Sequence, residues 1–156
     1  MALSKQDIKN NYPLPVYNYK VDVGGETLAF SEVSGLSMGY ETITYKESKI
    51  DGGVGPVVMQ MPGQETQSSI SLRKGYVKTK NIKVFYNWLN SIALNQVEKK
   101  NITVSLCDET GAPVVVWTVI DAFPTKLDAP GFSADSNEVA IESMELAALK
   151  ITMEEA

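Results

Sequence analysis

The sequence of 156 residues contains no histidine and only one cysteine. Without histidine, the Ser-His and Cys-His nucleophile systems and the usual general base near neutral pH are excluded. The single cysteine, Cys107, cannot form an internal disulfide, and a zinc site would have to consist almost entirely of carboxylates. We therefore expect no catalytic centre, no cofactor and no metal site.

Long apolar runs and an excess of positive charge are also missing. No run approaches the roughly 18 apolar residues of a membrane-spanning helix, and the first eleven residues are polar. We therefore expect the protein to be made and folded in the cytoplasm. The 14 Lys and Arg residues are outnumbered by 19 Asp and Glu residues. This balance argues against stable binding of the subunit to nucleic acid or to an anionic membrane.

The remaining sequence is rich in strand patterns and fits one domain over residues 1–156. Residues 16–23 alternate apolar and polar side chains, and the apolar runs 114–123 and 138–149, whose residues favour strands, are expected to pair across a proline-containing loop. Apolar residues three and four apart predict one helix over residues 81–94, with Thr79 or Asn81 as its cap. Pro13 and Pro15 predict an extended arm over residues 1–15. Together these patterns predict a mainly β protein, an antiparallel sandwich or barrel with one flanking helix.

Residues 48–66 are predicted to form a long loop, because glycine and proline recur in SKIDGGVGPVVMQMPGQET. Loops normally lie on the surface and are shorter than this in compact domains. Two interpretations remain open: a loop folded onto its own core, or a flap that docks on another subunit. The apolar residues that would form such a contact are Val54, Pro56, Val57, Val58, Met59 and Met61.

The polar side chains of two predicted strands are the remaining candidates for chemistry. A strand over residues 67–76 places Ile70 and Leu72 on one face, opposite a polar face of Gln67, Ser69, Ser71 and Arg73. Glu138 and Glu142 have the even spacing that places both on one face of a strand. A carboxylate pair could act as in a glycosidase, but a solvated charged face is the ordinary interpretation. The segment DGGVGP lacks the Gly-Lys-Ser/Thr of a phosphate-binding loop and is interpreted as a flexible turn.

Five phrases, in order, resemble the inner-tube proteins of contractile injection systems and the tail tube proteins of contractile-tailed phages. They are YPLPVYNYKVDVGG, FSEVSGLSMGYETITYKE, MPGQETQSSISLRKG, FYNWLNSI and WTVIDAFPTKLDAPGFSADSNEVAIESMEL. The resemblance covers residues 12–150. It implies a structural, non-enzymatic subunit whose long hairpins join those of its neighbours into a ring-wide β-barrel.

The resemblance also implies hexameric rings that stack into a hollow tube inside a contractile sheath. Contraction would drive the tube through a target envelope, with cargo or DNA in its bore. The implied partners are further copies of the chain, the sheath protein, and the baseplate or initiator and terminator proteins. The implied subunit contact is the apolar part of residues 48–66 named above. The candidates for facing the lumen are Gln67, Ser69, Ser71, Arg73, Glu138 and Glu142.

Three other functions are compatible with parts of the sequence. The secreted tube proteins of type VI systems share the ring architecture. A β-sandwich module could bind carbohydrate through exposed aromatic residues, although Trp88 falls on the predicted helix and Trp117 lies in a run of valines. A hydrolase could use carboxylates alone, but nothing in the pattern places an acid beside a base.

Overall fold

The computed structural model describes residues 2, 4–78, 82–94 and 96–156. These residues form two short helices and a large set of antiparallel strands, as the strand patterns predict. The helices are α1 (Lys5–Asn11) and α2 (Val84–Asn90). The strands are β1 (Tyr19–Val23), β2 (Glu26–Leu28), β3 (Glu32–Ser34), β4 (Tyr40–Ser48), β5 (Pro56–Glu65), β6 (Ser69–Gly75), β7 (Lys100–Cys107), β8 (Pro113–Asp128), β9 (Ile141–Ala147) and β10 (Lys150–Glu155).

The long strand β8 belongs to two layers of sheet. Its first half pairs with β7 and β10, and this first layer continues through β1 to β2. Its second half pairs with β9, and this second layer continues through β6 to β3. Between the halves, Asp121 has a positive φ of 52°, and the register shifts between Pro124 and Lys126. A left-handed residue followed by a bulge bends the strand, which carries it from one layer into the other.

One apolar core lies between the layers. Alternate side chains of both layers point into it, as the two-residue period of a strand requires. The first layer contributes Val21, Val23, Ile102, Val104, Val119 and Ile151, and the second contributes Ile70, Leu72, Met144 and Leu146. Each buried aliphatic side chain of this kind contributes about 1.5–3 kcal/mol relative to an exposed one.

Helix α2 covers part of this core with its aromatic residues. Phe85 is fully buried, and its ring stacks on Phe30 with the centroids 5.7 Å apart. The Trp88 indole N–H donates a hydrogen bond of 2.7 Å to the carbonyl of Glu98, which satisfies its polar atom inside the core. The aromatic residues of this segment therefore serve packing, as the helical spacing indicates.

Two long hairpins account for most of the strands. In the first, β3 and β4 form one arm and β5 and β6 the other. Glu32 lies opposite Arg73 and Tyr40 opposite Glu65, so equal numbers of residues separate these pairs on the two arms. The register is therefore kept across the irregular segments 35–39 and 66–68, where the Thr66 N–H donates 2.8 Å to the Gly39 carbonyl.

The second hairpin pairs β8 with β9 and then β10, and its loop is 129–140. The predicted pairing of 114–123 with 138–149 is wrong in register. Residues 115–120 lie opposite 150–155, and residues 123–128 lie opposite 141–147. The strand continues through Pro124, because the bulge there removes the need for a ladder hydrogen bond from that residue. The loop consequently begins after Asp128, later in the chain than Pro124 suggests.

The predicted extended arm over residues 1–15 is wrong over Lys5–Asn11, which form helix α1. Ser4 caps the helix by accepting a hydrogen bond of 3.1 Å from the Asp7 N–H, and the Asp7 carboxylate accepts one of 3.2 Å from the Ser4 N–H. This reciprocal capping stabilises the first turn. The Ser4 hydroxyl and N–H, both donating to the carboxylate, lower the pKa of Asp7.

The predicted loop over residues 48–66 is also wrong, because most of it is strand β5. It pairs with β4 from Val57 opposite Glu47 to Met61 opposite Ile43, and only residues 49–55 form the turn. Pro62 is tolerated because it lies beside a register shift in a two-stranded ribbon, where no central ladder depends on its missing N–H.

The predicted helix over residues 81–94 is shorter in the structure. Helix α2 begins at Val84, and Lys83 provides no side-chain cap. The predicted caps Thr79 and Asn81 lie outside the described residues. Beyond Ser91 the backbone turns, and Ala93 and Gln96 exchange hydrogen bonds of 2.8 and 2.9 Å in place of a further helical turn.

Candidate assembly surfaces

The hairpin of β4 and β5, here called the ribbon, forms a two-stranded sheet separate from both layers. Its pairing register divides its side chains between two faces. One face, the apolar face of the ribbon, carries Ile43, Tyr45, Val57, Met59 and Met61, with Glu47 at its end opposite Val57. Four of these side chains, Ile43, Tyr45, Met59 and Met61, remain between 42% and 50% exposed. The opposite face is mostly polar and carries Thr42, Thr44, Lys46, Ser48 and Gln60.

The residues predicted for subunit contact all lie on the ribbon, but they do not share one face. Val57, Met59 and Met61 lie on its apolar face, whereas Pro56 and Val58 lie on the opposite face. Val54 is at the tip and is 95% exposed. Sequence reasoning did not place Ile43 and Tyr45 among the contact residues. The alternation of apolar and polar side chains along Glu41–Glu47 is the signal that would have identified them.

The outward side of the second layer is a polar face built on β6 and β9. Ser69, Ser71 and Arg73 alternate with buried residues along β6, and Ser143 and Glu145 do the same along β9. The register places Ser71 opposite Glu145 and Arg73 opposite Ser143. These side chains therefore share one surface, which we call the polar face.

Charges on the polar face are largely paired. The Arg73 guanidinium lies 3.3 Å from the Glu32 carboxylate, and the Lys126 ammonium lies 3.4 Å from the Asp128 carboxylate. Lys126 is also directly opposite Glu145 in the register. Because these pairs are exposed, each contributes little to stability. Their effect is to leave a hydroxyl-rich surface with three acids and two bases.

Of the residues predicted to face a lumen, the structure brings Ser69, Ser71 and Arg73 together on the polar face. Gln67 precedes β6, and Glu138 lies in the loop 129–140, so neither belongs to that face. The expectation that Glu142 is solvated is wrong for the subunit, since its side chain points into the core and only 2% of the residue is exposed. The even spacing of Glu138 and Glu142 does not place them on one strand face, because residue 138 lies outside the strand.

Glu142 is buried because it pairs with a buried lysine. Lys74 lies directly opposite it in the register, and the Lys74 Nζ is 2.6 Å from a carboxylate oxygen of Glu142. The ammonium also lies 5.3 Å from the ring centroid of Phe85 and 5.8 Å from that of Tyr76. Burial, together with the hydrogen bond to the Glu142 carboxylate and its negative charge, raises the pKa of Tyr76. The cluster joins β6, β9 and α2.

The two layers together have four edges at which a strand has a partner on one side only among the described residues. In the first layer they belong to β2 and β10, and in the second layer to β3 and the second half of β8. An edge of this kind presents unpaired N–H and C=O groups to any neighbouring strand. The second layer therefore has an open edge on each side of the polar face.

The described part of the chain contains no group of three acidic or cysteine side chains that could hold a metal ion. Within the same residues, no helix is both long and apolar enough to cross a membrane.

Comparisons with known proteins identify relatives of this fold. Residues 15–152 match the family of the T4-like virus tail tube protein gp19. A chain of the PVC sheath–tube complex, from an extracellular contractile injection system in the extended state, is 42% identical with a TM-score of 0.88, and the match covers 99% of this chain and 100% of that one. A chain of the tube-terminating cap of the anti-feeding prophage is 40% identical with a TM-score of 0.86, over 100% of both chains.

Hcp1 from Flavobacterium johnsoniae shares the fold at 17% identity, with a TM-score of 0.53 over 90% of this chain and 97% of Hcp1. None of the curated proteins matches the chain.

Proposed function

The chain belongs to the T4-like virus tail tube protein family, and on that premise we propose that its copies form hexameric rings that stack into the inner tube of a contractile injection particle. The observation that carries this proposal is the pair of long hairpins. They leave strand edges and the apolar face of the ribbon without a partner in the described subunit. Identical neighbours would complete both.

Within a ring, the second layer supplies the closing contact. The edge of β3 in one copy would pair with the edge of the second half of β8 in the next copy. The two edges lie on opposite sides of the layer, so the contact is heterologous and closes into a ring when the rotation permits. Closure would join the second layers into one continuous β-barrel, which removes their exposed edges.

The polar face would then line the bore. A folded barrel places one side of its sheet inward, and the other side of this layer is already occupied by the core. Serine hydroxyls and the paired charges at Arg73 and Lys126 make this surface mainly polar, with Ile141 and Ala147 at the two ends of β9, and leave no excess of cations. Cargo or DNA could pass such a surface without being held, since polyanion binding needs unpaired cations.

The apolar face of the ribbon would be buried against a neighbouring copy. Burying Ile43, Tyr45, Met59 and Met61 removes from water the side chains that the subunit leaves partly exposed. The predicted contact residues Val57, Met59 and Met61 belong to this surface, while Val54, Pro56 and Val58 lie at the tip and on the opposite face and would not be part of it.

The particle would be of the extracellular injection type rather than a phage tail. Support comes from relatives at 40% identity or more, among them a chain of the sheath–tube complex of an extracellular contractile injection system and a chain of the tube-terminating cap of the anti-feeding prophage. The partners of this chain would therefore be a sheath, a terminator and a baseplate.

The chain would be made in the cytoplasm, would have no enzymatic activity, and would pass into the extracellular particle with the assembled tube. The likeness to Hcp1 supports the fold alone.

The proposal is tested by assembly of the purified chain, with point variants on the two faces of the ribbon. We expect rings or stacked rings in negative-stain images at high concentration with sheath and baseplate components present. Met59→Asp, which places a charge in the buried contact, should abolish stacking while leaving the fold intact. Gln60→Asp, on the opposite face, is the matched control and should assemble normally. Monomers alone under these conditions would refute the tube, and normal stacking of Met59→Asp would refute the ribbon contact.

A further inference from the structure

The loop 129–140 is a second exposed apolar element, and no contact has yet been assigned to it. It closes the second hairpin at the end of the second layer where β9 begins. Phe132 is 88% exposed and Val139 is 72% exposed. Irregular loops of this length are uncommon in compact domains and usually carry a function. An aromatic side chain held in water on such a loop is a candidate anchor.

An apolar groove lies at the opposite end of the same layer. It is an open depression of about 590 Å³ between the end of α2 and the bend of β8. Its apolar lining consists of Leu89, Ile92, Ala93, Val97, Phe123 and Pro124. Phe123 pairs with Ala147 at the end of β9, whereas the loop joins the start of β9 at Ile141. The length of β9 therefore separates the loop from the groove.

Charge also differs between the two surfaces. The loop contains Asp135 and Glu138 and no lysine or arginine. Beside the groove, the Lys99 ammonium lies 5.9 Å from the ring centroid of Phe123. Between Gln96 and Asn101, Glu98 is the one acidic residue. An acidic loop with an aromatic tip is thus complementary to an apolar groove with a lysine beside it.

We propose that the loop 129–140 of one copy docks on the next ring, with Phe132 in the groove between α2 and β8 of the copy above or below. This inference rests on the proposed function, because it assigns a second contact between stacked rings, besides that of the ribbon. A loop at one end and a groove at the other make a heterologous contact that does not close on itself, so rings add indefinitely along one axis.

Disulfide trapping tests this contact directly. Cys107 is buried and would first be replaced in a Cys107→Ala background, whose tubes are checked by electron microscopy. We expect Phe132→Cys combined with Ile92→Cys to give a ladder of covalent oligomers after mild thiol oxidation of the tubes. Each single variant should give no ladder. The matched control pair, Val54→Cys with Ile92→Cys, should give none either, since it combines the ribbon tip with the same groove residue.

The outcomes separate this inference from the proposed function. Tubes that form without a ladder, or a ladder of equal yield from the control pair, would overturn the groove contact and leave the tube in place. Failure of the unaltered chain to form rings or tubes would overturn both. Phe132→Ala provides a second readout: it should raise the concentration needed for stacking about fivefold or more, as loss of an aromatic anchor does. Ser133→Ala should leave that concentration unchanged, and equal effects of the two would count against the anchor.

Discussion

At the scale of single residues, Lys74 and Glu142 show how little the pattern of charges along a strand reveals. Both occupy inward positions between apolar residues, and both are buried. They are tolerated because they lie opposite each other and approach to 2.6 Å. Desolvation offsets much of the attraction in such a pair, so its net contribution to stability is small while the loss of one partner is costly.

Glu142→Leu should therefore destabilise the subunit by about 3–5 kcal/mol, because it removes the carboxylate that neutralises the buried ammonium of Lys74. The double variant Lys74→Met with Glu142→Leu should recover most of that loss, since it replaces the pair with apolar side chains. Urea unfolding followed by tryptophan fluorescence measures both. A single variant as stable as the unaltered chain, or a double variant no better than the single one, would contradict the buried pair.

At the scale of elements, the ribbon is separate from the body that carries it. Among the residues that the structure describes, its strands pair only with each other, and none of its side chains belongs to the core. Its formation depends on local pairing and on glycines with positive φ in the turn, Gly52 and Gly55. The body and the ribbon should accordingly be separable by a deletion.

Joining Tyr40 to Glu65 through an Asn-Gly turn removes residues 41–64 at a point where the two arms are already paired. The shortened chain should remain folded, with a thermal midpoint within about 5 °C of the full chain. It should also fail to stack, because the apolar face of the ribbon is gone. Circular dichroism measures the first effect and sedimentation the second. An unfolded product would show that the ribbon supports the core, and normal stacking would show that it contributes nothing between subunits.

Much of the fold was predictable where one signal dominated. Alternation identified the strands containing Val21 and Ile70, and helical spacing identified Phe85 and Trp88 as packing residues. Prediction failed where two signals conflicted. Glycine and proline around Val57–Met61 outweighed an alternation that the structure follows, and Pro124 hid the continuation of β8. The arm was misjudged because the capping by Ser4 and Asp7 was overlooked.

For the candidate site, the sequence indicated the polar character of β6 and the apolar character of the ribbon, but not their geometry. Which residues share a face depends on strand register. That register is set by the bulges near Thr42 and Pro124, and a shift of one residue moves every side chain to the other face. The burial of Glu142 depends on its cross-strand neighbour, which the sequence alone does not identify.

At the scale of the whole molecule, the subunit has its own core but leaves several surfaces incomplete. The second layer has open edges on both sides of the polar face, the ribbon has an exposed apolar face, and the loop 129–140 carries an exposed aromatic residue. Each of these would be completed by a different contact between identical copies. One set would close a ring and the other would stack it, and together they would leave the polar face towards a hollow bore.

A side-chain-resolution cryo-electron microscopy map of the assembled particle tests this central claim most directly. It should show six-fold rings about 80–100 Å across, with Ser71, Arg73 and Ser143 facing a hollow bore and the ribbon of each copy lying on a neighbour. A map in which the polar face points outward or is buried between copies, with the ribbon folded onto its own subunit, would contradict the account.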